Sequence, residues 1–119
     1  MKEIDIKDFG KIKIKKLNVR DWEILRNECL TINPITRQEE YKTGTLVKVY
    51  TILGIVSGVF SEDYPEGMII TDRLYKQREV EYYKLNINRL IMDKIFAEIK
   101  EYNSTDDKEI GDLKKKSEQ

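Results

Sequence analysis

Histidine is missing altogether from this 119-residue chain, and cysteine occurs once, as Cys29. Without imidazole, no side chain has an ordinary pKa near neutrality, and the commonest nitrogen ligand for a metal is gone. A lone thiol with no histidine to activate it is a poor nucleophile, and one cysteine cannot form an intramolecular disulfide. A surplus of one sign of charge is also lacking, because 22 lysines and arginines balance 22 aspartates and glutamates. No global field therefore draws the chain toward nucleic acid or anionic lipid, and polyanion binding would need a local patch. The first residues carry neither the apolar core of a signal peptide nor the pattern of a transit peptide. The expectation is a non-enzymatic cytoplasmic protein with no catalytic residues, no metal and no cofactor.

Against this charged background one stretch stands out, Gly44 to Phe60, GTLVKVYTILGIVSGVF, in which Lys48 is the only charged residue. As a helix it would be about 26 Å long at the usual rise per residue, with apolar residues on every side. A helix of that kind is buried. Lys48, Gly54, Ser57 and Gly58 interrupt it, and it lacks a flanking positive-inside pattern, so it is expected as a core element and no membrane span is expected. The β-branched residues from Thr45 to Ile52 would also suit a buried strand; length favours helix. Gly54 and Gly58, four apart, would share one helical face where a neighbouring backbone comes close.

Upstream, Ile4/Ile6 and Ile12/Ile14 alternate strictly on either side of Asp8-Phe9-Gly10. That pattern predicts a β-hairpin over residues 3–17 with one buried face. Lys11, Lys13 and Lys15 would line its outer face, with Lys16 and Arg20 nearby, either as a ribbon for a phosphate backbone or, as favoured here, as charges that blunt an exposed strand. No aromatic residue is interleaved to stack on bases. Asn18 is placed to cap a helix over Val19 to Leu30, with Trp22 and Cys29 on its core side. Pro34 restrains Asn33, which should stop it. Thr36-Arg37-Gln38-Glu39 repeats a capping signature and predicts a second helix running into the apolar stretch.

Residues 61–67, SEDYPEG, read as a solvated loop, and the spacing of Glu62, Asp63 and Glu66 does not match a calcium loop. Thr71 can cap a final helix from Asp72, with Asn86 and Asn88 marking a break. Its apolar stripe would comprise Val80, Tyr83, Ile87, Leu90, Ile91, Ile95, Ile99 and Tyr102, while Tyr75, Tyr82 and Met92 would widen the core or face a partner. The expected fold is α+β, mostly α: a single domain over 1–102, with the N-terminal hairpin and a helical part of three or four helices over 18–102. A disordered polar tail is expected over 103–119.

The ribbon Ile12 to Leu17, the helix Asn18 to Leu30, and Gly44-Thr45-Leu46-Val47 leading on to Ser57 follow one another in an order that resembles the tail assembly chaperones of long-tailed bacteriophages. The resemblance spans residues 9–102 in pattern. It implies a protein of the host cytoplasm that binds the tape-measure protein, keeps its apolar surface soluble, recruits tail-tube subunits and is absent from the finished particle. Such proteins are often made also as a longer frameshifted form, with which Lys114-Lys115-Lys116 is compatible. A holdase needs adaptable apolar surface, for which the candidates are Val59, Phe60, Tyr75, Tyr82 and Tyr83. Two alternatives stay open: a structural virion protein for tail completion or connection, and a small nucleic-acid-binding regulator using the lysine ribbon. Homo-oligomerisation is left open as well.

Overall fold

A computed structural model describes residues 1–65 and 67–117, with side-chain surroundings given as far as Ser104. The N-terminal hairpin is present as β1 (Lys2–Ile6) and β2 (Gly10–Ile14). Ile4 lies opposite Ile12 across the antiparallel pair, and Ile4, Ile6, Ile12 and Ile14 are all buried. The turn is closed by the Phe9 N–H donating to the Ile6 carbonyl at 3.0 Å, with Asp8 at φ 67° and Gly10 at φ 137°.

Helix α1 (Val19–Cys29) starts where the sequence places it. Asn18 accepts from the Asp21 N–H, and the Asp21 carboxylate reaches back to the Asn18 N–H, a complete capping box. The helix ends earlier than the proline alone requires, because Leu30 is already extended. Instead of the helix expected from Thr36, the chain forms a two-stranded arm, β3 (Leu30–Ile32) and β4 (Glu39–Tyr41). Asn33 organises its tip: its side-chain oxygen accepts from the Ile35 and Thr36 N–H groups, and its own N–H donates to the Gln38 carbonyl. Local side-chain bonds of this kind compete directly with helix formation. They hold Arg37 at φ 59°, so Thr36 bonds the Gln38 N–H within a turn and does not cap a helix.

The apolar stretch is divided. Helix α2 (Thr43–Gly54) occupies its first part, and β5 (Ile55–Ser57) the second, so the continuous helix expected to Phe60 is corrected. Strand β5 pairs antiparallel with β2 and completes a sheet of order β1-β2-β5. The two glycines do permit close approach, but to different neighbours. A Cβ at Gly54 would lie 2.5 Å from the Ile99 Cγ2, and one at Gly58, at φ +106°, would lie 2.8 Å from the Lys11 carbonyl oxygen.

Thr71 caps α3 (Asp72–Lys84) by accepting from the Leu74 N–H, and the expected break precedes α4 (Arg89–Ser117). The buried face of α3 runs through Leu74, Tyr75 and Arg78, so Val80 and Tyr83 of the expected stripe are exposed, as is Leu90 after the break, while Ile95 and Ile99 are wholly buried. The fold is thus α+β and mostly helical, a hairpin followed by four helices. Most of the tail expected over 103–119 falls where side-chain surroundings are not described, but its first residue belongs to the fold. Asn103 is buried, accepts from the Leu17 N–H at 2.7 Å and donates to the Ile99 carbonyl at 2.8 Å. Among the described residues no helix is long and apolar enough to cross a membrane.

The Gly54 contact generates a measurable expectation. Gly54→Ala gains helix propensity of about 1 kcal/mol but pushes against the wholly buried Ile99, so a net loss of about 1–2 kcal/mol in urea unfolding is expected. In a double-mutant cycle, Ile99→Ala should cost less in the Gly54→Ala background than in the parent.

Candidate functional site

The lysines of the hairpin do not form a ribbon of one sign. Lys11 and Lys13 are exposed, but Lys11 lies 3.9 Å from Glu3 on the neighbouring strand. Lys15 is buried at 5 % exposure, which removes it from the outer face; strand β2 has ended at Ile14, and the alternation that would have turned Lys15 outward has ended with it. Lys16 is exposed, its ammonium 5.4 Å from the Tyr102 ring, and Arg20 pairs with Glu23 at 3.5 Å and Asp72 at 3.6 Å.

Lys15 belongs to a buried polar cluster built on the α1 cap. Its ammonium bonds one oxygen of Asp21, which also accepts from the Asn18 N–H at 3.0 Å. The other Asp21 oxygen accepts from the Tyr64 hydroxyl at 2.9 Å, and the Lys15 ammonium stands 4.0 Å over the Tyr64 ring. Burial and the Asp21 charge push the Tyr64 pKa up, so its hydroxyl remains a donor. A carboxylate enclosed by three donors is satisfied, and it fastens the segment carrying Tyr64 to α1.

A second buried cation, Arg78, performs the corresponding task on the other side of that loop. Its terminal nitrogens donate to the carbonyls of Ile52 at 2.9 Å, Ile55 at 2.5 Å, Val56 at 3.4 Å and Glu62 at 2.9 Å. The guanidinium lies 4.8 Å from the Phe60 ring centre. Burial lowers its pKa to about 10, leaving it charged at neutral pH. Neither Arg78 nor the inward Lys15 was anticipated. Arg78 had a signal, since it follows Leu74 by four positions and Tyr75 by three on α3 and so shares their buried face.

The five partner-surface candidates separate. Phe60 and Tyr75 are buried at 7 % and 9 % exposure and belong to the core; as partner contacts they are withdrawn, because apolar surface already removed from water has nothing to gain from a second burial. Val59 is half-buried against the same core. Tyr82 and Tyr83 come together edge to face at 5.6 Å and line an open groove of ≈ 410 Å³ between α2, the end of α3 and the start of α4. Its apolar wall is Val47, Tyr82, Tyr83, Leu85, Ile87 and Met92, with Arg89 and Asp93 at its edge. Lys48 fixes one lip by donating to the Tyr83 hydroxyl at 3.1 Å and to Glu79 at 3.3 Å. Burial pulls the Lys48 pKa down, but those two hydrogen bonds together with the charges of Glu79 and Tyr83 outweigh it and hold the pKa above the ordinary lysine value. Tyr83 is nonetheless 70 % exposed.

Among the described residues no group of three or more aspartate, glutamate, cysteine or histidine side chains is arranged to hold a metal ion. Cys29 is buried, and burial together with Glu28 pushes its thiol up to about 11. No protein-family model, curated protein or solved structure matches the chain.

Two outcomes follow from this geometry. Replacing Lys15 by Ala strands the Asp21 charge and should cost about 3–5 kcal/mol in chemical denaturation, whereas Lys13→Ala should stay within about 0.5 kcal/mol. For Cys29 the raised folded pKa means that the unfolded chain releases its proton first as pH rises, so this group's stabilising contribution, complete below pH 9, declines between pH 9 and about 11. Native protein should therefore resist thiol reagents at pH 8, with reaction accompanying unfolding.

Proposed function

We propose that this chain is a non-enzymatic protein-binding module, an assembly chaperone of the kind found in long-tailed bacteriophages, acting on a tape-measure or tail-tube protein in the host cytoplasm. The groove between α2, α3 and α4 carries the reading. It is lined mainly by apolar and aromatic side chains, among them an exposed tyrosine held by Lys48. An amphipathic client helix presents apolar residues three and four apart, which is the shape such a groove accepts. The tyrosine pair supplies contact area at little cost in side-chain entropy.

The nucleic-acid reading is less favoured, because Lys15 is buried and Lys11 has an acidic neighbour. A structural virion role would use the same groove permanently.

Calorimetric titration with helical fragments of a tape-measure protein tests the proposal. Tyr83→Asp and Val47→Asp should each weaken binding by at least about tenfold, or 1.4 kcal/mol, while Lys11→Ala and Lys13→Ala leave it unchanged. Absence of binding at low salt, or affinity indifferent to both groove variants, would overturn it. Detection of the chain in purified particles by mass spectrometry would favour the virion role.

A further inference from the structure

Tyr75 carries a hydroxyl that the fold leaves without a partner. The residue is 9 % exposed, and its oxygen is buried with no hydrogen bond to any described group. A polar group shut away from water unpaired is destabilising, and folded proteins contain few of them. Tyr75 also lines a recess of ≈ 280 Å³ between α1 and α3. On each helix the lining residues recur at the three- and four-residue spacing of a single face. Tyr75 is the one among them that is buried. Around it stand charged and polar side chains, with Ile24 as the apolar exception.

Some of these charges are already engaged. Arg20 pairs with Asp72 at 3.6 Å, and Glu79 accepts from Lys48 at 3.3 Å. Glu28 on α1 and Lys76 on α3 have no ion-pair partner among the described residues, one another included. The recess thus offers a free carboxylate, a free ammonium and an unbonded hydroxyl, which together complement a molecule bearing one charge of each sign. Polarity follows from Tyr75: burial raises its pKa, and the charges of Glu28 and Glu79 raise it further. The phenol therefore stays protonated in a negative potential, which favours the cationic end of a ligand at its oxygen. The volume lies just under the roughly 300–1,000 Å³ of drug-sized sites, and Ile24 supplies a wall for a short aliphatic group.

We infer that the recess between α1 and α3 binds a free aliphatic amino acid, its ammonium held by Glu28 and the Tyr75 oxygen and its carboxylate by Lys76. The site is separate from the groove, and the inference does not rest on the client reading.

Chemical-shift titration of the full chain with L-leucine tests the site, alongside isopentylamine and isocaproate, which keep the aliphatic chain and one charge each. Leucine should saturate and shift amides on the facing sides of α1 and α3, and each half-molecule should bind at least about tenfold more weakly. Tyr75→Phe should weaken leucine binding at least about tenfold while leaving the melting temperature unchanged or raised, since the deleted hydroxyl makes no bond in the free protein. A hydroxyl with a purely structural role would lower it. Glu28→Gln and Lys76→Gln, both at exposed positions, should each weaken leucine binding with no change in circular dichroism. Absence of saturable leucine binding at millimolar concentration overturns the inference, as does equal affinity for either half-molecule. A Tyr75→Phe variant that melts lower, or that binds leucine as the parent does, overturns it as well.

Discussion

The Arg78 guanidinium solves the problem that the helix-to-strand switch at Gly54–Ile55 creates. A helix leaves its last carbonyls without partners, and here the helix ends in the core, where water cannot supply them. Three of the four carbonyls bonded by Arg78 belong to this switch, Ile52 in the last turn of α2 and Ile55 and Val56 in the strand that follows. The fourth, Glu62, ties down the loop beyond. A cation at a helix C-terminus also complements the helix dipole, and α2 has no basic residue in its own last turn. The charge therefore comes from α3. The planar fork of an arginine can span these acceptors; the compact ammonium of a lysine could not reach the same set.

Lys15 and Asp21 repeat the principle on the opposite side of the loop. The α1 cap places a carboxylate at the first turn, and burial then requires a cation and a hydroxyl to accompany it. Tyr64 serves both arrangements, its hydroxyl on Asp21 and its ring near Lys15 and Arg78. A segment that reads as a solvated acidic turn is thus anchored by an interior tyrosine.

The parts of the architecture that were legible in the sequence are those governed by neighbours along the chain. Alternation gave the hairpin, Asn18 and Thr71 marked helix starts, and the asparagines near residue 87 marked a break. The errors came where a distant partner decided. Ile55 to Ser57 could join a sheet only because β2 offered an edge; Thr36 is the local exception, its capping role lost to the side chain of Asn33 three residues before it. Lys15 was read as solvent-facing because it continued the alternation of the strand, and Arg78 was not singled out, although it shares a helical face with Leu74 and Tyr75. Of the candidate surface, Tyr82 and Tyr83 were both named from the sequence, but Tyr83 was placed within the apolar stripe and is 70 % exposed. The recess that they border depends on where α3 stops relative to α2, which periodicity does not encode.

The bond from Leu17 to Asn103 has a consequence for how the protein is made. The hairpin's isoleucines and the α1 cap are synthesised well before the helix that carries Ile95, Ile99 and Asn103, since Leu17 and Asn103 are 86 residues apart. Until that helix emerges, the core shared by the hairpin isoleucines lacks Ile95 and Ile99, and the Leu17 N–H lacks its acceptor. Folding of this region therefore waits on a segment 86 residues downstream, and during that interval the nascent chain presents the kind of exposed surface that cellular folding helpers engage.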